Sequence, residues 1–375
     1  MSEGPLSGVR IIELEGLGPV PMAATLLAEL GADVVRVDRP KAPAFEDVLD
    51  RGRRSVVVDL KHPKGPETVL RLIEKADVLL EGMRPGVTER LGIGPEPALA
   101  RNPALVYARM TGWGQDGPRA HTAGHDLNYI ALTGVLAAIG PAAGPPTIPL
   151  NLVGDFGGGS LYLVVGVLAA LSAARSTGRG QVVDAAIVDG ATHLASMIWA
   201  EREKNGWTDG RAENLLDGGA PFYSIYETAD GKWFTVGALE PQFFSELVRL
   251  LELPEWEDAQ WERDRWPEMR AAFTDRFATR TRAEWERHFD GSDACTAPVL
   301  TWGEAPHDPQ LAGRSTHHFR DGATAPSPAP RFSATPTSPA PFLGARGTNT
   351  AAVLADWSVH EADDLLSSGA AIQAG

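Results

Sequence analysis

Three short segments carry side chains suited to moving a proton. In AGHDLNYIALTG, Gly124 precedes His125 and Asp126 where a helix is expected to start. The unpaired amides of a first helical turn can hold a developing oxyanion. In NLVGDFGGGS, Asp155 comes just before Gly157, Gly158 and Gly159, glycines that allow a substrate to approach closely and that open an apolar helix. In VGALEPQFF, Glu240 leaves the end of an expected hairpin strand. An imidazole and two carboxylates are the usual equipment of general acid–base chemistry. Each also has a plainer role, with His125 and Asp126 as an N-cap pair, Asp155 as a helix cap and Glu240 as a solvated loop carboxylate. Spacing alone leaves both sets of roles open.

Other chemistries find little support. The nine histidines, at 62, 121, 125, 193, 288, 307, 317, 318 and 360, form neither an HExxH pattern nor a Cys/His cluster, so no metal site is expected. His317-His318 reads as a surface loop pair. No GxSxG elbow and no Walker loop occurs. The single cysteine, Cys295 in DACTAPVL, has no nearby histidine and is expected as a packed thiol. It excludes an intramolecular disulfide and suits a reducing, cytoplasmic location. Gly16-Leu17-Gly18-Pro19-Val20-Pro21 after the first strand, with Asp38 ending the second, imitates a dinucleotide fingerprint. Pro21 replaces its third glycine, however, and Pro19 removes an amide donor where a phosphate needs one.

With 34 Lys+Arg against 49 Asp+Glu, the net charge of −15 argues against a nucleic-acid partner, whose phosphates require a basic face. The N-terminal MSEGPLSGVR lacks the apolar core of a signal peptide. The apolar run Leu161–Ala174 is 14 residues long and reads as a core helix, short of the ~20 residues that cross a bilayer. A soluble protein with no membrane partner is expected.

The elements that must position these residues follow two periods. VRIIEL (Val9–Leu14), ADVVRVDRP (Ala32–Pro40), ADVLLEG (Ala76–Gly82) and ALVYARMTG (Ala104–Gly112) read as strands. Helices are expected over Pro21–Leu30 and within HPKGPETVLRLIEKA. Strands separated by helices imply right-handed crossovers and a parallel, Rossmann-like sheet, continued by a strand over Gln181–Gly190. A helical run from Ala191 to Lys204 and a Gly-rich break at Asp217-Gly218-Gly219 then lead into a smaller α+β domain. That domain opens with a hairpin over Tyr223–Leu239, turning at Ala229-Asp230-Gly231. Pro267 heads one of its helices, and Thr281 with Glu284 forms a capping box for another. Six prolines over Ala325–Pro341 make a semi-rigid extended return, and the tail from Asn349 suits a short helix. The expected division is a large α/β domain over 1–190 completed by 330–375, a linker helix over 191–219, and a small domain over 220–320.

Over nearly its whole length the chain resembles the α-methylacyl-CoA racemases of the family III CoA-transferase superfamily. The matching stretches include PLSGVRIIEL, LLAELGADVVRVDRP, RPGVTERLGIGP, YARMTGWGQDGP, AGHDLNYIALTG, PLNLVGDFGGGS, GQVVDAAIVDG, LDGGAPFYSIYETADGKWFTVGALEPQFF and DACTAPVL, of which TGWGQDGP, GHDLNY and GDFGGG are the most specific. The resemblance implies the family III CoA-transferase fold in an interlocked homodimer, each large domain's site being completed by the partner's small domain. It makes His125 and Asp155 the two acid/base groups, with Glu240 orienting His125. It further implies a coenzyme A (CoA) site lined by Arg39, the segment Val58, Asp59, Leu60 and Lys61, the turn Gly82, Met83 and Arg84, Arg90, and Gly124, Asp126, Leu127, Asn128 and Tyr129. Arg51, Arg53 and Arg54 are further cations of the same region, some of them ordinary surface charge. One departure lies in LEGLGPVPMA, where Glu15, Val20 and Met22 replace small or aromatic residues, leaving the acyl-chain preference open.

The function implied is inversion of the α-carbon of 2-methyl-branched acyl-CoA thioesters. A thioester acidifies its α-carbon, removal of the proton gives a planar enolate, and reprotonation on the opposite face inverts the centre. A His/Asp pair sharing one proton serves both directions and needs no metal or redox cofactor. The uncharged stretch from Leu127 to Gly154 is expected to help keep Asp155 protonated by desolvation. The superfamily's CoA transferases use the matching aspartate as a nucleophile but lack the GHD and GALE combination. They supply one alternative, and an idle acyl-CoA-binding protein the other.

Overall fold

Runs of Val, Ile and Leu, buried on both faces in the inner strands, build the central sheet, as parallel strands covered on both sides require. The computed structural model describes residues 4–41, 48–320, 322–341 and 344–374. Strand β1 (Arg10–Leu14) leads into α1 (Pro19–Glu29), β2 (Asp33–Asp38), β3 (Arg53–Val58), α2 (Gly65–Ile73) and β4 (Val78–Glu81). Short helices α3 (Val87–Arg90) and α4 (Pro95–Arg101) precede β5 (Val106–Thr111), and α5 (Asp126–Leu132) follows it. Strand β3 is not among the expected strands. Its Arg53 and Ser55 are buried and meet Glu13 and Asp38, so two of its five buried positions are polar and the apolar pattern is broken.

A π-helix over Leu152–Leu161 runs directly into α6 (Tyr162–Thr177). The Phe156 N–H bonds the Asn151 carbonyl five residues back. The continuous helix, Leu152–Thr177, has 26 residues, long and apolar enough by length and composition alone to cross a bilayer. It is longer than the expected helix because the glycine stretch joins it. Its inner face, including Leu163, Val167 and Leu171, is buried against the sheet core. Strand β6 (Gln181–Ala186) ends before α7 (Ile187–Leu194), so the expected strand over Gln181–Gly190 turns helical at Ile187. There Gly158 and Gly190 meet so closely that a Cβ on Gly190 would lie 1.8 Å from the Gly158 carbonyl oxygen.

Helix α8 (Ser196–Glu203) is followed by β7 (Tyr223–Glu227), β8 (Trp233–Gly237) and α9 (Pro241–Leu250), all in the second unit. Helices α10 (Trp266–Phe277) and α11 (Arg282–Phe289), strand β9 (Thr296–Pro298) and α12 (Pro309–Gly313) complete its regular elements. Locally encoded features form as expected. Gly231 takes a positive φ of 69° in the hairpin turn, and Thr281 and Glu284 cap α11 reciprocally. Strands β7, β8 and β9 form an antiparallel sheet over an aromatic core that includes Phe222, Phe234, Phe277 and Trp285. A ribbon of β10 (His317–Arg320) and β11 (Ala323–Pro326) follows, placing His317 and His318 on a strand rather than in a loop. The tail supplies α13 (Thr350–Asp356), α14 (Ala362–Ser367) and β12 (Ala371–Ile372).

The main sheet runs β12-β3-β2-β1-β4-β5-β6, all neighbours parallel except β12. Helices α1 and α6 cover one face, and α2, α4 and α13 the other. The strand order reverses between β1 and β4, the point where open α/β sheets bind ligands.

The chain divides into two compact units, the first comprising residues up to 133, 149–195 and from 318 onward, the second 134–148 and 196–317. This differs from the expected division in three places, the first being that the return to the first unit begins at 318 rather than 330. Residues 134–148 join the second unit, where the Arg211 guanidinium donates to the carbonyls of Ala137, Pro141 and Gly144 at 3.4, 2.9 and 2.6 Å. Residues 191–219 are not one linker helix. α7 stops at Leu194, α8 stops at Glu203, and the buried Asn214 side chain then organises a loop by bonding Thr208, Gly210 and Asp217.

Candidate active site

His125 is the N-cap of α5. Its backbone N–H donates to Asn128 Oδ1 at 3.0 Å, and its carbonyl accepts the amides of Asn128 and Tyr129. Those bonds fix the first turn while leaving the N–H groups of Asp126 and Leu127 without an intrahelical acceptor. The imidazole is exposed.

Asp155 lies in the first turns of the π-helix, a local widening frequent at functional sites. The buried carboxylate of Asp126 accepts the Asp155 backbone N–H at 2.7 Å. Burial, then the negative charge of Asp126, push the Asp155 carboxyl above its ordinary range, and a hydrogen bond from Asn151 and the proximity of His125 pull it partly back. Desolvation is thus its largest influence. Gly18, at the switch point, faces the same carboxylate. A carboxylate over that glycine turn makes it a poor seat for a pyrophosphate, since like charges repel there.

Tyr129 ties this centre to the strand ends. Its hydroxyl donates to the Gly124 carbonyl, and its ring meets Trp113 edge-on at 4.7 Å between centroids. A Cβ on Gly112 would fall 2.0 Å from the same ring, so only glycine fits. Burial, then the Asp155 charge, raise the phenol's proton affinity, and Arg84 opposes them. His125, Asp126, Tyr129, Asp155 and Arg84 therefore share one region of the first unit.

The other residues carried over for CoA binding follow the carboxyl ends of the strands. Arg39 follows β2 and is exposed, its guanidinium held by Glu15 at 3.2 Å. Arg346 joins this group, pairing with Glu15 at 2.8 Å and Asp38 at 3.4 Å. Val58 is buried, Asp59 accepts the Lys61 amide at 2.9 Å, Leu60 is half-buried and Lys61 is exposed. After β4 the chain turns at Gly82, where the Met83 amide donates to Glu81 at 2.7 Å. Arg109 clamps Glu81 at 2.7 Å and Glu89 at 2.8 Å, bracing the turn that carries Arg84 and the helix that carries Arg90. Arg84 and Arg90 are exposed and form no ion pair among the described residues. Arg51, Arg53 and Arg54, by contrast, stand at the opposite edge, where β3 begins, and are paired with Glu29, Glu13 and Asp33.

Glu240 belongs to the second unit. It is the exposed N-cap of α9, with its backbone carbonyl accepting the amides of Phe243 and Phe244. Cys295 is exposed rather than packed, because its backbone, at a φ of 51°, turns the residue outward at the start of β9. Local burial and the nearby Glu240 and Asp293 carboxylates push its thiol upward, away from a reactive thiolate.

Sequence reasoning missed Asn151, Arg109, Glu81 and Arg346, and also the structural use of the Asp126 side chain. None has a local signal, since each acts on a residue distant in sequence or across a turn of unusual pitch. Asp126 fits the carried-over CoA set through its backbone amide, its carboxylate being engaged elsewhere.

The sequence profile of CoA-transferase family III matches residues 6–347. Alpha-methylacyl-CoA racemase of Homo sapiens is 47% identical over 329 residues, covering 87% of this chain and 86% of the human protein. Succinyl-CoA–D-citramalate CoA-transferase of Chloroflexus aurantiacus is 35% identical over 266 residues, covering 67% and 66% of the two chains. The crystal structure of a CaiB/BaiF family protein from Brucella suis superposes with a TM-score of 0.79 at 26% identity, covering 95% of this chain and all of that one.

Proposed function

The chain belongs to CoA-transferase family III, and within that family we propose that it inverts the α-carbon of 2-methyl-branched acyl-CoA thioesters by 1,1-proton transfer. The observation that carries this is the pairing of an exposed imidazole at the α5 N-cap with a carboxyl whose proton affinity is raised by burial, the two braced through Asp126. One group must hold a proton while the other lacks it, and raising a carboxyl toward an imidazole makes both arrangements accessible.

In one direction neutral His125 takes the α-proton and protonated Asp155 returns one to the opposite face. In the other, the Asp155 carboxylate is the base and the His125 imidazolium the acid. The enolate oxygen formed between them is held by the free backbone amides at the start of α5, and removal of such a donor commonly costs ~3 kcal/mol. Arg84, Arg90, Lys61 and Arg39 hold the CoA phosphates, and the turn Gly82–Arg84 and helix α5 flank the thioester arm. No cofactor is required, because the thioester itself supplies the acidity.

The site is completed in a homodimer, with Glu240 of the second unit orienting His125 in the partner chain. Leu132, Leu150, Leu161, Val165 and Val182 of the first unit are exposed, an apolar surface that a second chain is suited to cover.

The test is incubation of one enantiomer of a 2-methylacyl-CoA in D₂O. Inversion with deuterium at the α-carbon is expected. Acyl transfer to a carboxylic acid, with a hydroxylamine-sensitive adduct on Asp155, would overturn the racemase in favour of a CoA transferase. CoA-ester binding without exchange would leave only a binding protein.

A further inference from the structure

Asp126 is only 9% exposed, yet no Arg, Lys or His ion-pairs with it among the described residues. An unneutralised buried carboxylate is costly and needs a partner. Its partner here is the backbone N–H of Asp155, 29 residues away, at 2.7 Å. The fit leaves no room for adjustment, since a Cβ on Gly154 would lie 2.2 Å from the same carboxylate oxygen. Asp126 is also the first residue of α5, directly after His125. One side chain therefore links the helix start that carries the imidazole to the π-turn that carries the opposing carboxyl.

We propose that Asp126 is a positioning residue that braces Asp155 through its backbone and sets a second carboxylate beside the Asp155 carboxyl. The role rests on the acid/base assignment of Asp155 made above. Bracing sets the distance between the two proton carriers. The charge disfavours ionisation of Asp155, so that a carboxyl able to donate a proton persists beside an imidazole able to accept one.

The surroundings leave few competing sources for such an effect. Helix α5 presents His125, Asp126 and Tyr129, and the β4–α3 turn presents Arg84, whose charge acts on Tyr129. Helix α7 carries Asp189 and His193, the latter bonded to Tyr162 of α6 at 2.7 Å. Of these charged groups only Asp126 and His125 act on the Asp155 carboxyl, and in opposite directions.

Two variants separate bracing from charge. Asp126→Asn keeps an oxygen for the Asp155 amide but removes the charge, whereas Asp126→Ala removes both. The first readout uses free protein labelled with ¹³C at the aspartate carboxyls, with the Asp155 signal identified by its loss in Asp155→Asn. The titration midpoint of Asp155 is expected to move to lower pH in Asp126→Asn, and an unmoved midpoint overturns the charge role. Because no substrate is present, this result stands whether or not the racemase assignment holds. The second readout is α-proton exchange. Asp126→Ala is expected to lose about 100-fold in kcat with KM changed less than about threefold, as for a misplaced reacting group, and Asp126→Asn to recover much of that loss. Equal kcat in Asp126→Ala and the parent overturns the bracing role.

Discussion

Gly18 and Asp155 face one another across the switch point of the sheet, with a Cβ built on Gly18 standing 3.5 Å from the Asp155 carboxylate oxygen Oδ2. Gly18 holds φ 69° and ψ −114°, backbone angles that side-chain-bearing residues avoid. The glycine turn that resembles a dinucleotide fingerprint thus serves to leave space over a carboxyl group. Gly18→Ala is expected to lose about 1–3 kcal/mol of stability by denaturant unfolding, through backbone strain. It should also slow α-proton exchange, because the added methyl crowds the approach to Asp155. Unchanged stability and exchange rate would show that the turn has no such role.

Each half of the acid/base pair is expected to be needed in both directions. His125→Ala and Asp155→Asn should each reduce inversion and deuterium incorporation by about 10²–10⁴-fold, the usual contribution of a positioned proton carrier. If Glu240 acts through His125 as proposed, Glu240→Gln should lower kcat more than it raises KM. Chiral analysis and mass spectrometry of the product report all three, and unchanged epimerisation by His125→Ala would remove that residue from the mechanism.

Among the described residues Arg84 and Arg90 have no carboxylate partner and stand at the carboxyl ends of the strands, whereas Arg54 is paired with Asp33 and Asp356 at the opposite edge. Calorimetry with CoA alone should show Arg84→Ala and Arg90→Ala each weakening binding by roughly ten- to a hundredfold, the worth of a charge-assisted hydrogen bond of ~1.5–3 kcal/mol. The loss should shrink as salt is added. Arg54→Ala should leave the affinity unchanged, and an equal loss there would make the contribution one of general charge.

The Arg53–Glu13 pair is fully buried, with 2.5 Å between Nε and Oε2. Burial pushes the Glu13 carboxyl up and Arg53 opposes that rise. Arg53→Met strands the carboxylate and is expected to cost about 3–5 kcal/mol at neutral pH. With its pKa raised further above the unfolded value, Glu13 takes up a proton on folding. The variant should therefore regain part of its stability as pH falls below that raised pKa, and lose it again as pH rises. Unfolding midpoints of parent and variant from pH 5 to pH 8 check the sign, and a deficit independent of pH would refute it.

The elements legible in the sequence are those whose signals are local. VRIIEL, ADVVRVDRP, ADVLLEG and ALVYARMTG carry enough apolar residues to be read as strands, and Thr281 with Glu284 announces a helix start within four residues. Strand β3 is hidden because Arg53 and Ser55 are satisfied by Glu13 and Asp38, which come from other strands. The helical turn at Ile187 is hidden because QVVDAAIVDG keeps a strand-like composition past the point where Gly158 and Gly190 pack together. The exposure of Cys295 rests on a positive-φ backbone that its flanking residues do not signal.

By itself, the sequence determined the chemical types, an imidazole at a helix start and a carboxyl beside a glycine run, together with the alternation that makes the sheet parallel. Tertiary structure decided that the segments carrying them are joined, because the bond from the Asp155 amide to Asp126 spans 29 residues. It also decided which arginines, among the described residues, lack an ion pair at the carboxyl ends of the strands and which are consumed in buried pairs at the other edge. Both outcomes depend on strand order and on the pitch of one π-turn. Those are properties of long-range packing, and no local window of residues encodes them.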